Sequence, residues 1–250
     1  RANKTKSEFM GFAAHELKNP LTSLRGSSDV MQMGMTDAVS AQQQTFLQTI
    51  RSNANRMQTI IDDLRDFAKL EAGQLNVNLS PMDFQHVITE SQRSLQKQFD
   101  DKHQKFVVVK PENMPLIMAD YERLIQVMTN MLSNAHKYSE ADTNVTIEID
   151  VKRYRNKKGQ GLGDVMKISV KDEGFGMSEE DLNRLFHEKY FRSENPVAHA
   201  QPGTGLGMMI TYAIIQLHGG DIWVESTLGE GSSFNFVIPL APESEQIKQV

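Results

Sequence analysis

The chain contains no cysteine in 250 residues. That absence excludes a disulfide framework, thiolate zinc sites, iron–sulfur clusters and a cysteine nucleophile, and it fits a reducing compartment. No apolar run approaches the roughly 18 residues needed to cross a bilayer, so no membrane contact is expected of this segment. A large excess of one charge sign is also lacking: the formal net charge is −5, which argues against coating nucleic acid through net charge. What is present suffices for a core, with 39% hydrophobic residues. At roughly 150 residues per domain, the length allows one large domain or two modest ones.

The two halves follow different patterns. From about residue 3 to 71, Met10, Ala14, Leu17, Leu21, Leu24, Ser28, Met31 and Met35 recur in steps of four and three. After the turn-like Gly34-Met35-Thr36-Asp37, with Ser40 as a plausible N-cap, Leu47, Ile50, Ala54, Met57, Ile61, Leu64 and Ala68 resume the alternation. This is the stripe of a coiled-coil-like bundle, and the short connection predicts antiparallel neighbours. Two helices cannot enclose such a seam, so a homodimeric four-helix bundle is expected.

The heptads stop near Ala72-Gly73, and Asn76 to Pro81 reads as a linker, so the segment between the two expected domains is set at 74–80. Beyond it, helical patterns at 84–101, 120–138, 179–186 and 205–218 alternate with strand-like runs at 106–109, 145–151, 165–170, 222–225 and 234–238. Strands and helices interleaved without a strict βαβ repeat predict an α/β sandwich with a mixed sheet. The expected domains are 1–73, 81–243 and a tail at 244–250.

His15 stands in Phe12-Ala13-Ala14-His15-Glu16-Leu17-Lys18-Asn19-Pro20-Leu21, on the solvent side of the seam and just ahead of a helix-bending proline. The ordinary reading is an exposed histidine near a tolerated kink. A zinc-protease site is excluded, because Asn19 stands where the second histidine is needed. The functional reading is a neutral imidazole able to attack phosphorus, with acidic Glu16 beside it to accept a proton or orient the ring.

Three further pieces lie downstream. Asn130, Asn134 and Lys137 share a face of a predicted helix, followed by Tyr138. The amides offer oxygen ligands to a hard cation such as Mg²⁺, and Lys137 offers charge to a phosphate. Asp172-Glu173-Gly174-Phe175-Gly176 ends a strand; its carboxylate can accept a hydrogen bond from an exocyclic amine such as that of adenine. Gly203-Thr204-Gly205-Leu206-Gly207 precedes a helix whose free N-terminal amides attract phosphate. It is not a Walker A loop, since no Gly-Lys-Ser/Thr follows. A second glycine cluster, Gly159-Gln160-Gly161-Leu162-Gly163, reads as a hairpin tip between two strands. Singly, each piece also fits a polar helix face or a turn.

Together the segments resemble the catalytic core of sensor histidine kinases over roughly residues 3–240. The His15 segment is similar to the H-box, with Ala14 for the usual serine and Lys18 for the usual arginine. The downstream pieces resemble the N, G1 and G2 boxes of the Bergerat-type (GHKL) ATPase domain, in order and spacing. The runs His218-Gly219-Gly220-Asp221-Ile222-Trp223-Val224-Glu225-Ser226 and Gly229-Glu230-Gly231-Ser232-Ser233-Phe234 look like its closing hairpin. Phe186 and Tyr190-Phe191-Arg192 resemble the F-box with spacing one residue longer, and Pro202 stands where many members have glycine. Both flank the polar stretch 193–201, a candidate lid.

The resemblance implies autophosphorylation of His15 from ATP, Glu16 as general base, and Asn19 positioning water in a phosphatase reaction. It further implies Asn134 as the central Mg²⁺ ligand with Asn130 assisting, Lys137 on phosphate, Tyr138 beside the nucleotide, and Asp172 on adenine. Gly174 and Gly176 would shape the adenine pocket, Arg192 would neutralise phosphate charge, and Gly203, Thr204, Gly205, Leu206 and Gly207 would close over the phosphates. The implied partners are a second copy of the chain and the receiver domain of a response regulator in the cytoplasm. Arg1 opens a polar, helix-like stretch, so an upstream sensory or membrane-anchored segment is expected. The rivals are a clamp-type Bergerat ATPase and a degenerate docking scaffold; the histidine hairpin opposes the first and the retained His15, Glu16, Asn134, Lys137 and Asp172 oppose the second. The remaining histidines, His86, His103, His136, His187, His199 and His218, suit surface or cap positions.

Overall fold

The structure is a computed structural model that describes residues 21–22, 24–26, 28–29, 41–155, 161–188, 191–193, 195–196, 201 and 203–246. His15, Glu16, Asn19, Tyr190, His199 and Pro202 lie outside the described residues. The chain divides into two compact units, residues 1–75 and 76–250.

In the first unit, helix α1 spans Ala41–Glu71. The described residues between 21 and 29 are helical too. Leu21, Ala54 and Ile61 form one buried cluster. Further along, the Ser28 hydroxyl donates to the Leu47 carbonyl (3.1 Å), and Arg51 pairs with Asp29 at 3.2 Å. Rising numbers on one helix meet falling numbers on the other, so the two are antiparallel, as the short connection requires. Leu47, Ala54, Ile61 and Ala68, seven residues apart, are all buried. The alternate seam positions Ile50 and Met57 each remain 46% exposed. Among the described residues, therefore, one row of the α1 seam is covered while Ile50 and Met57 of the other are not.

The second unit is an α/β sandwich. Its elements in chain order are β1 (Ser80–Met82), α2 (Phe84–Asp101), β2 (Lys105–Val109), β3 (Ile117–Ala119), α3 (Tyr121–Tyr138), β4 (Asn144–Arg155), β5 (Gly161–Asp172), α4 (Glu179–Arg184), α5 (Gly207–Leu217), β6 (Asp221–Thr227), β7 (Gly231–Pro239) and α6 (Glu243–Gln246). The five-stranded sheet has the order β2-β4-β5-β7-β6, with only β2 and β4 parallel. Its mixed character matches the sequence expectation. One face carries Val145, Ile147, Ile149, Met166, Ile168, Val170, Phe234 and Phe236, all buried. The helices cover this face; the Phe84 ring of α2 meets Phe236 edge-on at 6.4 Å.

The principal helices form where expected because apolar spacing and caps agree. In α2, Phe84, Val87, Ile88, Ser91, Leu95 and Phe99 are buried at steps of three and four, and the Asp83 carboxylate accepts the Gln85 N–H (2.8 Å). In α3, Leu124, Val127, Met128, Met131, Leu132 and Ala135 form the buried stripe. The Asp120 carboxylate accepts the Arg123 N–H at its start (3.2 Å).

Two features differ from the sequence reading. Ser80-Pro81, read as linker, belongs to β1, which pairs antiparallel with β3 through Ser80↔Ala119, Pro81↔Met118 and Met82↔Ile117. Neither three-residue strand is long enough to display a period of two, so only tertiary pairing defines them. Within the stretch read as a tail, α6 places Gln246 so that its side chain accepts the Leu116 N–H and donates to the Leu116 carbonyl, both at 2.7 Å. Of the second glycine cluster, Gly161 and Gly163 lie in β5, where Arg155 opposes Gly161 and Tyr154 opposes Gly163, and Gly159 and Gln160 lie outside the described residues.

Candidate functional site

Helix α3 carries Asn130, Asn134, Lys137 and Tyr138, and the G1 and G2 segments meet it from two sides. At its C-terminal end, Ser139 bridges Gly174, and the Phe175 N–H donates to the Tyr138 carbonyl (3.1 Å). A Cβ on Gly174 would lie 2.7 Å from Asp172 Oδ1 and would also strike the Tyr138 carbonyl. Gly176 has φ +63°, and a Cβ there would collide with the Thr227 carbonyl. The G1 turn therefore needs both glycines to pass between α3 and the β6–β7 hairpin. The hairpin holds the turn by two bonds: Gly229 N–H to the Phe175 carbonyl (2.8 Å) and Met177 N–H to Ser226 Oγ (2.9 Å).

Asp172 is 9% exposed at the end of β5. Its Oδ1 accepts the backbone N–H groups of Gly174 (3.0 Å) and Ser232 (3.2 Å). Among the described residues, no donor reaches Oδ2, which is left for a ligand. Burial pushes the carboxyl up to about 6, partly opposed by the two N–H bonds. Ser232 was not singled out from sequence; it lies in the Gly-Glu-Gly-Ser-Ser run read only as a hairpin.

Helix α5 packs on α3 near the amides. Asn130 Nδ2 donates to Thr211 Oγ1 (2.9 Å), and its Oδ1 lies 2.7 Å from where a Gly207 Cβ would stand. A side chain at position 207 would therefore collide with α3. Asn134 Nδ2 contacts Met208 Sδ at 3.3 Å. Among the described residues, neither amide oxygen accepts a protein hydrogen bond, so two hard oxygen donors on one helix face are free for a cation. This donor set fits Mg²⁺. Thr211 and Met208 escaped the sequence reading because a threonine and a methionine on an apolar helix carry no chemical signature.

The G2 loop ends in Leu206, the N-cap of α5, with no side-chain cap bond. Gly205 has φ +73°, and Thr204 Oγ1 accepts the Leu206 N–H (3.2 Å). The first amides of α5 are therefore not satisfied by a side-chain cap, the condition under which a helix start accepts an anion. A Cβ on Gly203 would meet open space, so packing does not demand that glycine.

Arg192 Nη2 donates to the Gln201 carbonyl (2.7 Å), joining the two sides of the stretch 193–201. Burial raises the Tyr138 hydroxyl above the ordinary tyrosine range, and the Arg192 charge opposes that shift. Phe191 is buried with the Arg184 guanidinium 5.2 Å from its ring centre, and Phe186 meets Tyr212 of α5 at 5.8 Å. Lys137 is half-buried, and its charge helps hold the His136 imidazole below the usual histidine range, after burial and Lys102.

Similarity to known proteins agrees with this geometry. Residues 5–73 match the family model "His Kinase A (phospho-acceptor) domain". Residues 119–242 match "Histidine kinase-, DNA gyrase B-, and HSP90-like ATPase". The chain is 33% identical over 247 residues to the non-motile and phage-resistance protein of Caulobacter vibrioides, covering 98% of this chain and 28% of that protein. It is 31% identical over 240 residues to the signal transduction histidine-protein kinase BarA of Escherichia coli K12, covering 96% of this chain and 25% of BarA. The chain spans about a quarter of these relatives' length. Among solved structures, full-length ShkA in complex with AMPPNP has the same fold at TM-score 0.71 and 24% identity, covering 94% of this chain and 46% of that one. The two family models, one over the first unit and one over the second, place the chain in the sensor histidine kinase family, whose phosphoacceptor and ATPase modules it carries.

Proposed function

We propose that this chain binds ATP with Mg²⁺ and transfers the γ-phosphoryl group to His15, then to an aspartate of a response-regulator receiver domain. The observation that carries the reading is the convergence of Asp172, Asn134 and the start of α5 on one helix, α3. Asp172 Oδ2 accepts the adenine amine while Oδ1 stays bound to Gly174 and Ser232. Tyr138 packs beside the nucleotide. Lys137, Arg192 and the first amides of α5 counter the triphosphate charge. Asn134, with Asn130 assisting, would hold Mg²⁺, which when bound draws charge from the phosphate oxygens.

In the transfer, a His15 ring nitrogen forms the N–P bond as the bond from γ-phosphorus to the ADP oxygen breaks. Glu16 accepts the ring proton, and ADP leaves with the electron pair. Asn19 positions a water when the phosphorylated partner is hydrolysed. Exposed Phe46, Ile50, Met57 and Ile60 on α1 supply the apolar surface for a second copy. The segment works in the cytoplasm, and among the described residues no helix is long and apolar enough to cross a membrane.

Calorimetric titration with a non-hydrolysable ATP analogue tests the pocket. Binding by the wild-type chain that weakens on Mg²⁺ removal and in Asn134→Ala supports it. Absence of nucleotide binding by the wild type contradicts it and favours a docking scaffold.

A further inference from the structure

His218 takes no part in the proposed phosphoryl transfer, yet it is only 2% exposed. The Asp120 backbone N–H donates to its Nε2 (3.0 Å), and its Nδ1 lies 2.7 Å from the Ile214 carbonyl oxygen. An N–H cannot donate to another N–H, so Nε2 carries the lone pair and Nδ1 the proton. One neutral tautomer is thereby fixed. Burial holds the imidazole below the usual histidine range, against the opposing pull of the Ile214 carbonyl and Asp120.

Asp120 is itself doubly used. Its Oδ1 caps α3 at Arg123, and its Oδ2 accepts the Asn78 N–H at 2.8 Å. An unbroken chain of hydrogen bonds therefore runs from Asn78, two residues ahead of β1, through the start of α3 to the last turn of α5. Helices α3 and α5 also meet through Asn130–Thr211 and Asn134–Met208, at the phosphate end of α5. Contacts at both ends of α5 fix its translation and its angle against α3, which a contact at one end would not do.

We propose that Asp120 and His218 are positioning residues for the nucleotide: they fasten the far end of α5 to α3 and tie both helices to the segment 78–82. Seating of that segment and occupation of the nucleotide site then favour each other, and the coupling is reciprocal. The inference rests on the reading of the pocket as an ATP site.

The test uses the whole chain and a non-hydrolysable ATP analogue with Mg²⁺. His218→Leu removes the acceptor for the Asp120 N–H, whereas His218→Gln retains one near the Nε2 position. Asn78→Pro removes the donated N–H at an exposed position, and Asn78→Ala keeps it. Affinity should fall about fivefold or more in His218→Leu and in Asn78→Pro, and stay near the wild-type value in the Gln and Ala variants. The analogue should slow amide hydrogen exchange across residues 76–82 in the wild type but not in His218→Leu. Unchanged affinity in Asn78→Pro and in folded His218→Leu overturns the proposal, as does exchange indifferent to nucleotide in the wild type. Should His218→Leu not fold, Asn78→Pro alone decides. A wild-type chain that binds no nucleotide overturns the ATP reading as well, whereas wild-type binding with unaffected variants overturns only the positioning role.

Discussion

Asp172 ties burial to recognition. Its carboxyl is pushed up to about 6 because it sits in a nearly closed site, and only one of its oxygens is satisfied by backbone N–H groups. The proton taken up at low pH would reside on Oδ2 and present a donor to the adenine amine, itself a donor. Affinity for the ATP analogue should therefore be flat above the folded value and fall as pH drops through about 6, measured by calorimetry across that range. The folding linkage has the opposite sign. The folded value is raised from 3.8, so Asp172's contribution to the nucleotide-free stability is full below 3.8 and lost as pH rises through about 6. Asp172→Asn should weaken binding roughly 10- to 100-fold, because one charged acceptor is lost. Gly207 offers a steric test. A Cβ 2.7 Å from Asn130 Oδ1 must displace that amide, so Gly207→Ala should cost about 1–3 kcal/mol of stability in urea denaturation and weaken binding together.

Helix α3 is held at both ends by groups outside itself, which explains how it can present polar residues at half-buried positions. Its C-terminal carbonyls have no glycine cap. Instead, Lys102 Nζ donates to the carbonyls of His136 (2.8 Å) and Ser139. Gln104 Nε2 donates to the Glu140 carbonyl (2.8 Å), and its Oε1 meets His136 Nδ1 at 2.7 Å. Both side chains come from the turn between α2 and β2, so that turn sets where Tyr138 and the bridge to Gly174 stand. Gln104→Ala should destabilise the second unit by about 1–3 kcal/mol, read from denaturant midpoints. By contrast, Asp83→Ala loses a single N-cap bond on α2 and should cost about 1 kcal/mol without altering nucleotide affinity.

Across the whole molecule, the sequence was readable where one physical signal repeats along the chain. The heptads of α1, the stripes of α2 and α3 and the alternating β4 and β5 runs each announce an element by period, and the mixed sheet follows from their order. The candidate site was readable where chemistry is concentrated in polar residues and glycines, as at Asn134, Asp172 and Gly207. It was silent where the same residue type serves an ordinary core or turn. Thr211, Ser232 and the Asp120–His218 pair acquire meaning only from what tertiary packing brings against them, and β1 and β3 exist only as partners of each other.

Ile50 and Met57 on α1 are exposed in a single copy and suit an interface with a second. A charge at either position, as in Ile50→Lys, should shift the sedimentation profile from dimer toward monomer while the isolated nucleotide affinity is unchanged. Transfer from ATP to His15 is measured by incubating the wild-type chain and His15→Gln with γ-labelled ATP and assaying acid-labile label on protein. The wild type should become labelled and lose the label in acid, while His15→Gln binds nucleotide and stays unlabelled. Acid-labile labelling of His15→Gln equal to that of the wild type would rule out His15 as the phosphoryl acceptor.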